Sequence, residues 1–176
     1  GGYIAVEFAY IFSKLGVKVD LVYRGNKILK NFDQDIVNFL ISNTSKNKIK
    51  FHLNSKIIEV KKIKKDLIVK MSNKKLLKTD FILSAIGRVA NTKNLKLENT
   101  KAQLNSNHSL KVNRHFQTND KSIYAIGDVI DYVNLTPIAI RQGHFLADKI
   151  FNSKKIIEYD FTNIPTAVFT SPQIGS

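Results

Sequence analysis

The chain contains no cysteine in 176 residues. That removes disulfide cross-links, thiolate nucleophiles and cysteine-ligated metals from the chemistry this stretch supplies by itself. Nor does any apolar run approach the roughly 18 residues a membrane-spanning helix needs, so no membrane partner is expected. Acidic residues are scarce too, with 14 Asp and Glu against 28 Lys and Arg for a net charge of +14. Such an excess raises nucleic acid as a partner. The cations are mostly lysines scattered with asparagines through loops and solvent faces, with no ladder of stacking aromatics, and no nucleic-acid binding is expected. No metal site is expected either.

What is present begins at once. Gly1-Gly2-Tyr3-Ile4-Ala5-Val6-Glu7-Phe8 has the form of the second half of a dinucleotide-binding loop entering its helix. Gly2 suits close approach of the backbone to a pyrophosphate, and Ala5 suits the small position where helix packs on sheet. Ile4, Phe8, Ile11, Phe12 and Leu15 recur at helical spacing, Gly16 is a stop, and residues 17–23 form an apolar strand. The chain opens with Gly rather than Met and inside a motif, so it is expected to be an internal fragment of a longer protein. The strand that should precede Gly1 would be central in a parallel sheet, and poor independent folding is expected without it.

About 20 residues past the glycines, where a dinucleotide fold makes its cofactor choice, stands Arg24, followed by Lys27 and Lys30. An acid there would bind ribose hydroxyls and repel a 2′-phosphate; cations favour NADP over NAD. Asp20 lies mid-strand, too early to serve. A second helix is expected over residues 32–42 with Phe32, Ile36, Phe39 and Leu40 on one face, then a short strand over 49–53. Residues 56–78 alternate as two or three strands, turning at Lys64-Lys65-Asp66 and Ser72-Asn73-Lys74.

Residues 79–88 form a further apolar run expected to be a buried strand. It empties into Gly87, which lets the backbone pass close to a ligand, and Arg88, within reach of an anionic cofactor. A short strand is expected at residues 110–112 and a buried strand over 122–128, ending in Gly127-Asp128, whose carboxylate suits the hydroxyls of a ribityl chain. Thr136 and Pro137 open the last long helix. Ala139, Gly143, Leu146, Ala147 and Ile150 are expected on its packed face. Its amino-terminal dipole is suited to a reduced flavin. Residues 164–170 read as a last strand.

Five segments carry a resemblance: Gly2-Tyr3-Ile4-Ala5-Val6-Glu7, Ala85-Ile86-Gly87-Arg88-Val89-Ala90-Asn91-Thr92, Ile123-Tyr124-Ala125-Ile126-Gly127-Asp128, Leu135-Thr136-Pro137-Ile138-Ala139-Ile140 and Asn163-Ile164-Pro165-Thr166-Ala167-Val168-Phe169. In order and spacing they resemble the class I pyridine nucleotide-disulfide oxidoreductases, and among them the glutathione reductases. The resemblance implies an α/β fold of Rossmann-like FAD/NAD(P)-binding domains, those of a two-dinucleotide-binding-domain flavoprotein. Residues 1–90 would belong to the NADP-binding domain, 91–163 to the FAD-binding domain, and 164–176 would start the dimerisation domain.

It also implies NADPH and FAD as cofactors, glutathione disulfide as substrate, a homodimer and a cytoplasmic enzyme. Gly2 and Ala5 would hold the NADP pyrophosphate, and Arg24 and Lys30 the 2′-phosphate. At Lys30 the family usually has arginine, so lysine keeps the positive charge but cannot grip the phosphate with two parallel N–H groups. Tyr3 would cover the flavin until nicotinamide arrives, and Glu7 would partner a flavin-side lysine outside this chain. Gly87 and Arg88 would lie near NADP, Gly127 and Asp128 at the FAD ribityl, and the Leu135 and Thr136 amides against the isoalloxazine. The redox cysteines and acid/base histidine would lie outside the chain, leaving the fragment inactive alone. The alternatives are another flavoprotein disulfide reductase, such as a dihydrolipoyl dehydrogenase, or a nucleotide- or anion-binding module without redox work.

Overall fold

A computed structural model describes residues 1–44, 49–152 and 160–175. The chain divides into two compact units, Gly1–Gly87 with Ile164–Ser176, and Arg88–Asn163.

The first unit starts with helix α1, Tyr3–Lys14, strand β1, Val19–Val22, helix α2, Gln34–Thr44, and strand β2, Ile49–His52. β1 and β2 pair in parallel, Val19 opposite Ile49 and Val22 opposite His52, with α2 as the crossover. α2 begins at Gln34 because Asp33 caps it: the Asp33 carboxylate accepts the Asp35 and Ile36 amides at 2.8 and 3.2 Å. The expected start at Phe32 is therefore two residues early.

α1 turns a different face inward from the one its apolar spacing suggests, and α2 does so in part, since Leu40 is buried and Phe32 packs on the core as expected. α1 buries Val6, Ala9, Tyr10 and Ser13, while Phe8, Ile11 and Leu15 are exposed, Leu15 by 74%. α2 buries Val37, Leu40 and Thr44, leaving Ile36 and Phe39 exposed. One contact joins the two buried faces. The Tyr10 hydroxyl bonds the Thr44 hydroxyl, which donates to the Leu40 carbonyl at 2.6 Å, inside the core. Burial holds the Tyr10 phenol above its usual range, with the Thr44 bond opposing. Because the folded value is raised, its contribution to stability is present below the ordinary value of 10.0 and is lost as pH climbs through the folded one. In the complete protein, Tyr10→Phe is expected to cost about 1 kcal/mol and to flatten the alkaline limb of the melting-temperature profile.

Strands β3, Ile57–Ile63, β4, Asp66–Met71, and β5, Leu76–Thr79, follow as an antiparallel meander. Lys64 and Lys74 take positive φ at its two turns, where the sequence puts them. Of the expected strand over residues 79–88 only Thr79 lies in a strand, as the last residue of β5 opposite Leu67. Among the described residues no strand pairs with residues 80–88, so an apolar run is left with Phe81 and Leu83 exposed and Ile86 exposed by 95%. The last segment contributes β6, Ala167–Val168, paired antiparallel with β7, Ile174–Gly175. Val168 and Ile174 join Val6, Tyr10, Leu21 and Leu40 in one core.

The second unit has little strand. Leu104 bridges Leu110, and Gln117 bridges Tyr124, as isolated pairs. The expected strands at 110–112 and 122–128 shrink to these pairs, and the latter run gives way to a 3-10 turn over Gly127–Ile130. Helix α3, Thr136–Phe151, follows, with Leu135 at its cap and Pro137 in the first turn. It buries Ile138, Gln142 and Phe145; of the expected face, Ala139 and Gly143 approach Gly127 and Ile126 closely, while Ala147 and Ile150 are exposed. Phe116 makes edge contacts with Phe145 and Phe161, ring centroids 5.7 and 5.8 Å apart, so the buried face of α3 carries an aromatic cluster.

Candidate functional site

The expected site residues fall into two groups, one in each unit. In the first, Gly2 is the cap of α1 and is exposed, with nothing within 4 Å of where a Cβ would stand. No side chain caps the helix and no acid lies in its first turn. The first-turn amides therefore have no side-chain cap, and the positive end of the dipole is left without a nearby acid, as an anion requires.

Beyond β1, the loop bearing the three cations is held firmly. Ile28 and Leu29 are buried in the core, the Leu29 amide donates to the Gly1 carbonyl at 2.8 Å, and Gln34 Nε2 donates to the Phe32 and Leu29 carbonyls. Arg24, Lys27 and Lys30 are exposed on this rigid base. None of the three has an ion-pair partner among the described residues. Positive charge is therefore presented without an internal counter-ion, which suits a phosphate. Asp20, by contrast, is engaged: its carboxylate meets His52 Nε2 at 2.5 Å across β1 and β2.

Ala5 and Tyr3 are half-buried and pack against the first core. The Glu7 carboxylate accepts the Phe169 amide at 3.0 Å, joining α1 to the segment after β6. Sequence reasoning foresaw a lysine outside this chain for Glu7 and missed Phe169, since nothing local marks a contact 162 residues distant. Gly87 ends the first unit's main segment with φ +128 and open space around its Cβ position.

In the second unit, Arg88 and Asp128 come together, Nη2 to Oδ2 at 3.5 Å. They line a cleft of about 250 Å³ with Asn91, Asp131 and Asn134. Gly127 takes φ +73 to make the turn, and its amide donates to Oε1 of the fully buried Gln142 at 2.6 Å. Asp131 accepts Asn107 Nδ2 at 2.6 Å and Asn134 Nδ2 at 2.7 Å. Asn134 Oδ1 is buried with no partner among the described residues. Gln142, Asp131 and Asn134 escaped sequence reasoning; the only signal was a run of polar residues around a Gly-Asp turn. At α3, the Leu135 amide already donates to the Val133 carbonyl at 2.9 Å, so of the two amides expected to face the flavin, that of Thr136 opens the helix without a side-chain cap.

An orphaned buried acceptor beside an exposed carboxylate fits a ligand rich in hydroxyl donors, as a ribityl chain is. The cleft volume is below the roughly 300–1,000 Å³ of whole small-molecule sites, so it fits part of a dinucleotide. Among the described residues, no cluster of His, Asp or Glu could hold a metal ion, and no helix is long and apolar enough to cross a membrane.

Residues 1–143 match the family described as pyridine nucleotide-disulphide oxidoreductase. The chain is 37% identical over 176 residues, all of its length, to a glutathione reductase of Burkholderia cepacia. It is 34% identical over 99% of its length to a soluble pyridine nucleotide transhydrogenase of Sodalis glossinidius. In structure it is similar to the HOCl-induced flavoprotein disulfide reductase RclA from Escherichia coli, with a TM-score of 0.91 and 26% identity over 99% of the chain. It spans 39%, 37% and 40% of those three proteins' lengths. Its mixed helix and strand architecture is the Rossmann-type fold of these flavoproteins. With most of its length matched, the chain belongs to the pyridine nucleotide-disulphide oxidoreductase family.

Proposed function

We propose that this chain is the NADP-binding part and a portion of the FAD-binding part of an enzyme that carries reducing equivalents from NADPH through FAD to glutathione disulfide. The observation that carries the reading is the pairing of an open helix start at Gly2 with three uncompensated cations at the end of β1. On this reading residues 1–90 belong to the NADP-binding domain, 91–163 to the FAD-binding domain, and 164–176 open a dimerisation domain. The complete enzyme is a cytoplasmic homodimer.

Gly2 and Ala5 admit the pyrophosphate, and Arg24 and Lys30, with Lys27, hold the 2′-phosphate. Gly87 keeps backbone clear of the nicotinamide half, and Arg88 lends it positive charge. Gly127 and Asp128 take the ribityl hydroxyls, with Asn134 Oδ1 as a further acceptor. Leu135 and Thr136 present the start of α3 to the isoalloxazine. Tyr3 excludes water from the flavin until nicotinamide displaces its ring, and Glu7, tied to Phe169, fixes the helix that carries Tyr3. FAD, when bound, supplies the two-electron relay between nicotinamide and disulfide; the residues of this chain bind, orient and shield.

The test is the complete protein. It should purify yellow, oxidise NADPH much faster than NADH, and consume NADPH only when glutathione disulfide is added. A colourless protein, or equal use of the two carriers, overturns the reading. The likeness to a soluble transhydrogenase supports a second reading, in which hydride passes between nicotinamide carriers. Oxidation of NADPH by an NAD analogue, with glutathione disulfide left intact, would select it.

A further inference from the structure

We infer that Tyr23 is a positioning residue for dinucleotide recognition, an aromatic spacer that sets the separation between the glycine turn and the basic loop; this rests on the NADP reading of those two segments. Gly1 and Gly2 are adjacent yet differ in surroundings. Gly2 is open, whereas a Cβ on Gly1 would lie 2.5 Å from Cγ of Tyr23. On the other side of the ring's attachment, a Cβ on Gly25 would lie 2.7 Å from Cε1 and 3.0 Å from Cζ of the same side chain. Gly25 does not have the positive φ found at Gly16, Gly87 and Gly127. Space requires glycine at both positions, and what fills that space is one tyrosine ring.

The backbone that carries the ring is held. The Tyr23 amide donates to the His52 carbonyl and its carbonyl accepts the Ser55 amide, each at 3.0 Å. The two glycines are tied as well. Gly1 accepts the Leu29 amide at 2.8 Å and Gly25 accepts the Asn54 amide at 2.9 Å. Leu29, at φ 48 and buried, lies between the exposed Lys27 and Lys30. Through Gly1 the ring therefore touches the backbone that leads into α1, and through Gly25 the backbone that leads into the cations. A ligand carrying a pyrophosphate and a 2′-phosphate on one adenosine presents two anions at a fixed separation. A rigid spacer between their two receptors favours that ligand over one with a single anion.

The test is calorimetric titration of the complete oxidised protein with NADP⁺ and with NAD⁺, with flavin content and melting temperature recorded for each variant. Tyr23→Ala should weaken NADP⁺ at least tenfold and NAD⁺ less than threefold, while Tyr23→Phe, which keeps the ring, should stay within twofold of the native protein for both. Gly25→Ala should weaken NADP⁺ tenfold in the native background and add nothing in the Tyr23→Ala background, because the clash and the ring are one interaction. Should Tyr23→Ala fail to accumulate, Tyr23→Leu gives the same comparison. Equal loss for both carriers, or additive losses in the double variant, overturns the spacer and leaves the NADP reading standing. A native protein that binds NADP⁺ no better than NAD⁺ overturns both.

Discussion

Arg24→Glu in the complete protein lowers kcat/KM for NADPH by about 100-fold or more and that for NADH by less than about threefold. A hydrogen bond to a charged group contributes about 1.5–3 kcal/mol, and each 1.4 kcal/mol is a factor of ten. Loss of the guanidinium alone therefore accounts for roughly ten- to hundredfold. The new carboxylate adds repulsion against the 2′-phosphate, which carries the effect past the upper end, while Lys27 and Lys30 keep it finite. Fold and flavin content should be unchanged, because Arg24 is exposed and makes no ion pair among the described residues. The measurement is steady-state kinetics with both carriers on one preparation. Parallel losses would mean the loop acts through structure and not through charge, and would remove the ground for NADP preference.

The residues behind that prediction are legible in the sequence alone, and the reason is local. A glycine turn, a helix, a strand and a cation follow one another within 24 residues, and neighbouring elements in a βαβ unit fold onto one another with little freedom. Over residues 1–79 element type and order are legible on the same ground, as is the hairpin chemistry of Lys64 and Lys74. Helix orientation is not. Between Ile4 and Phe12 every residue of α1 except Glu7 is apolar, so periodicity offers several stripes, and the one buried includes Tyr10, whose hydroxyl meets Thr44, 34 residues away. The apolar run over residues 79–88 shows the converse limit. Composition marks a segment fit for the interior of a sheet, but a strand exists only when neighbours take its amides and carbonyls, and among the described residues no strand pairs with residues 80–88. In the second unit Asp128 stands out beside its glycine, whereas Gln142 looks like one polar residue among others on a helix. Its significance depends on the packing of α3 against the Gly127–Ile130 turn.

That packing sets the second large effect. Gln142→Leu keeps the side-chain volume and removes the acceptor of the Gly127 amide, a bond of 2.6 Å from a side chain with 1% exposure. Leaving such a donor unpaired costs about 1–3 kcal/mol. The turn cannot easily rearrange to find another partner, since Gly127 is already at φ +73 with its Cβ position 3.3 Å from Ala139. The strain is relieved by movement of the turn away from α3, and Asp128 moves with it. On the proposed function, flavin affinity then falls about 10- to 100-fold, which is the same free energy expressed at the ligand, and the complete protein purifies with a reduced flavin-to-protein absorbance ratio that added FAD restores only in excess. Asp128→Ala supplies the comparison: it should deplete flavin while leaving the Gln142 bond, and hence the melting temperature of the flavin-free protein, near the native value. If Gln142→Leu lowers that melting temperature but keeps its full complement of flavin, the glutamine serves the fold alone, and the Gly127–Asp128 turn is not where the flavin is held.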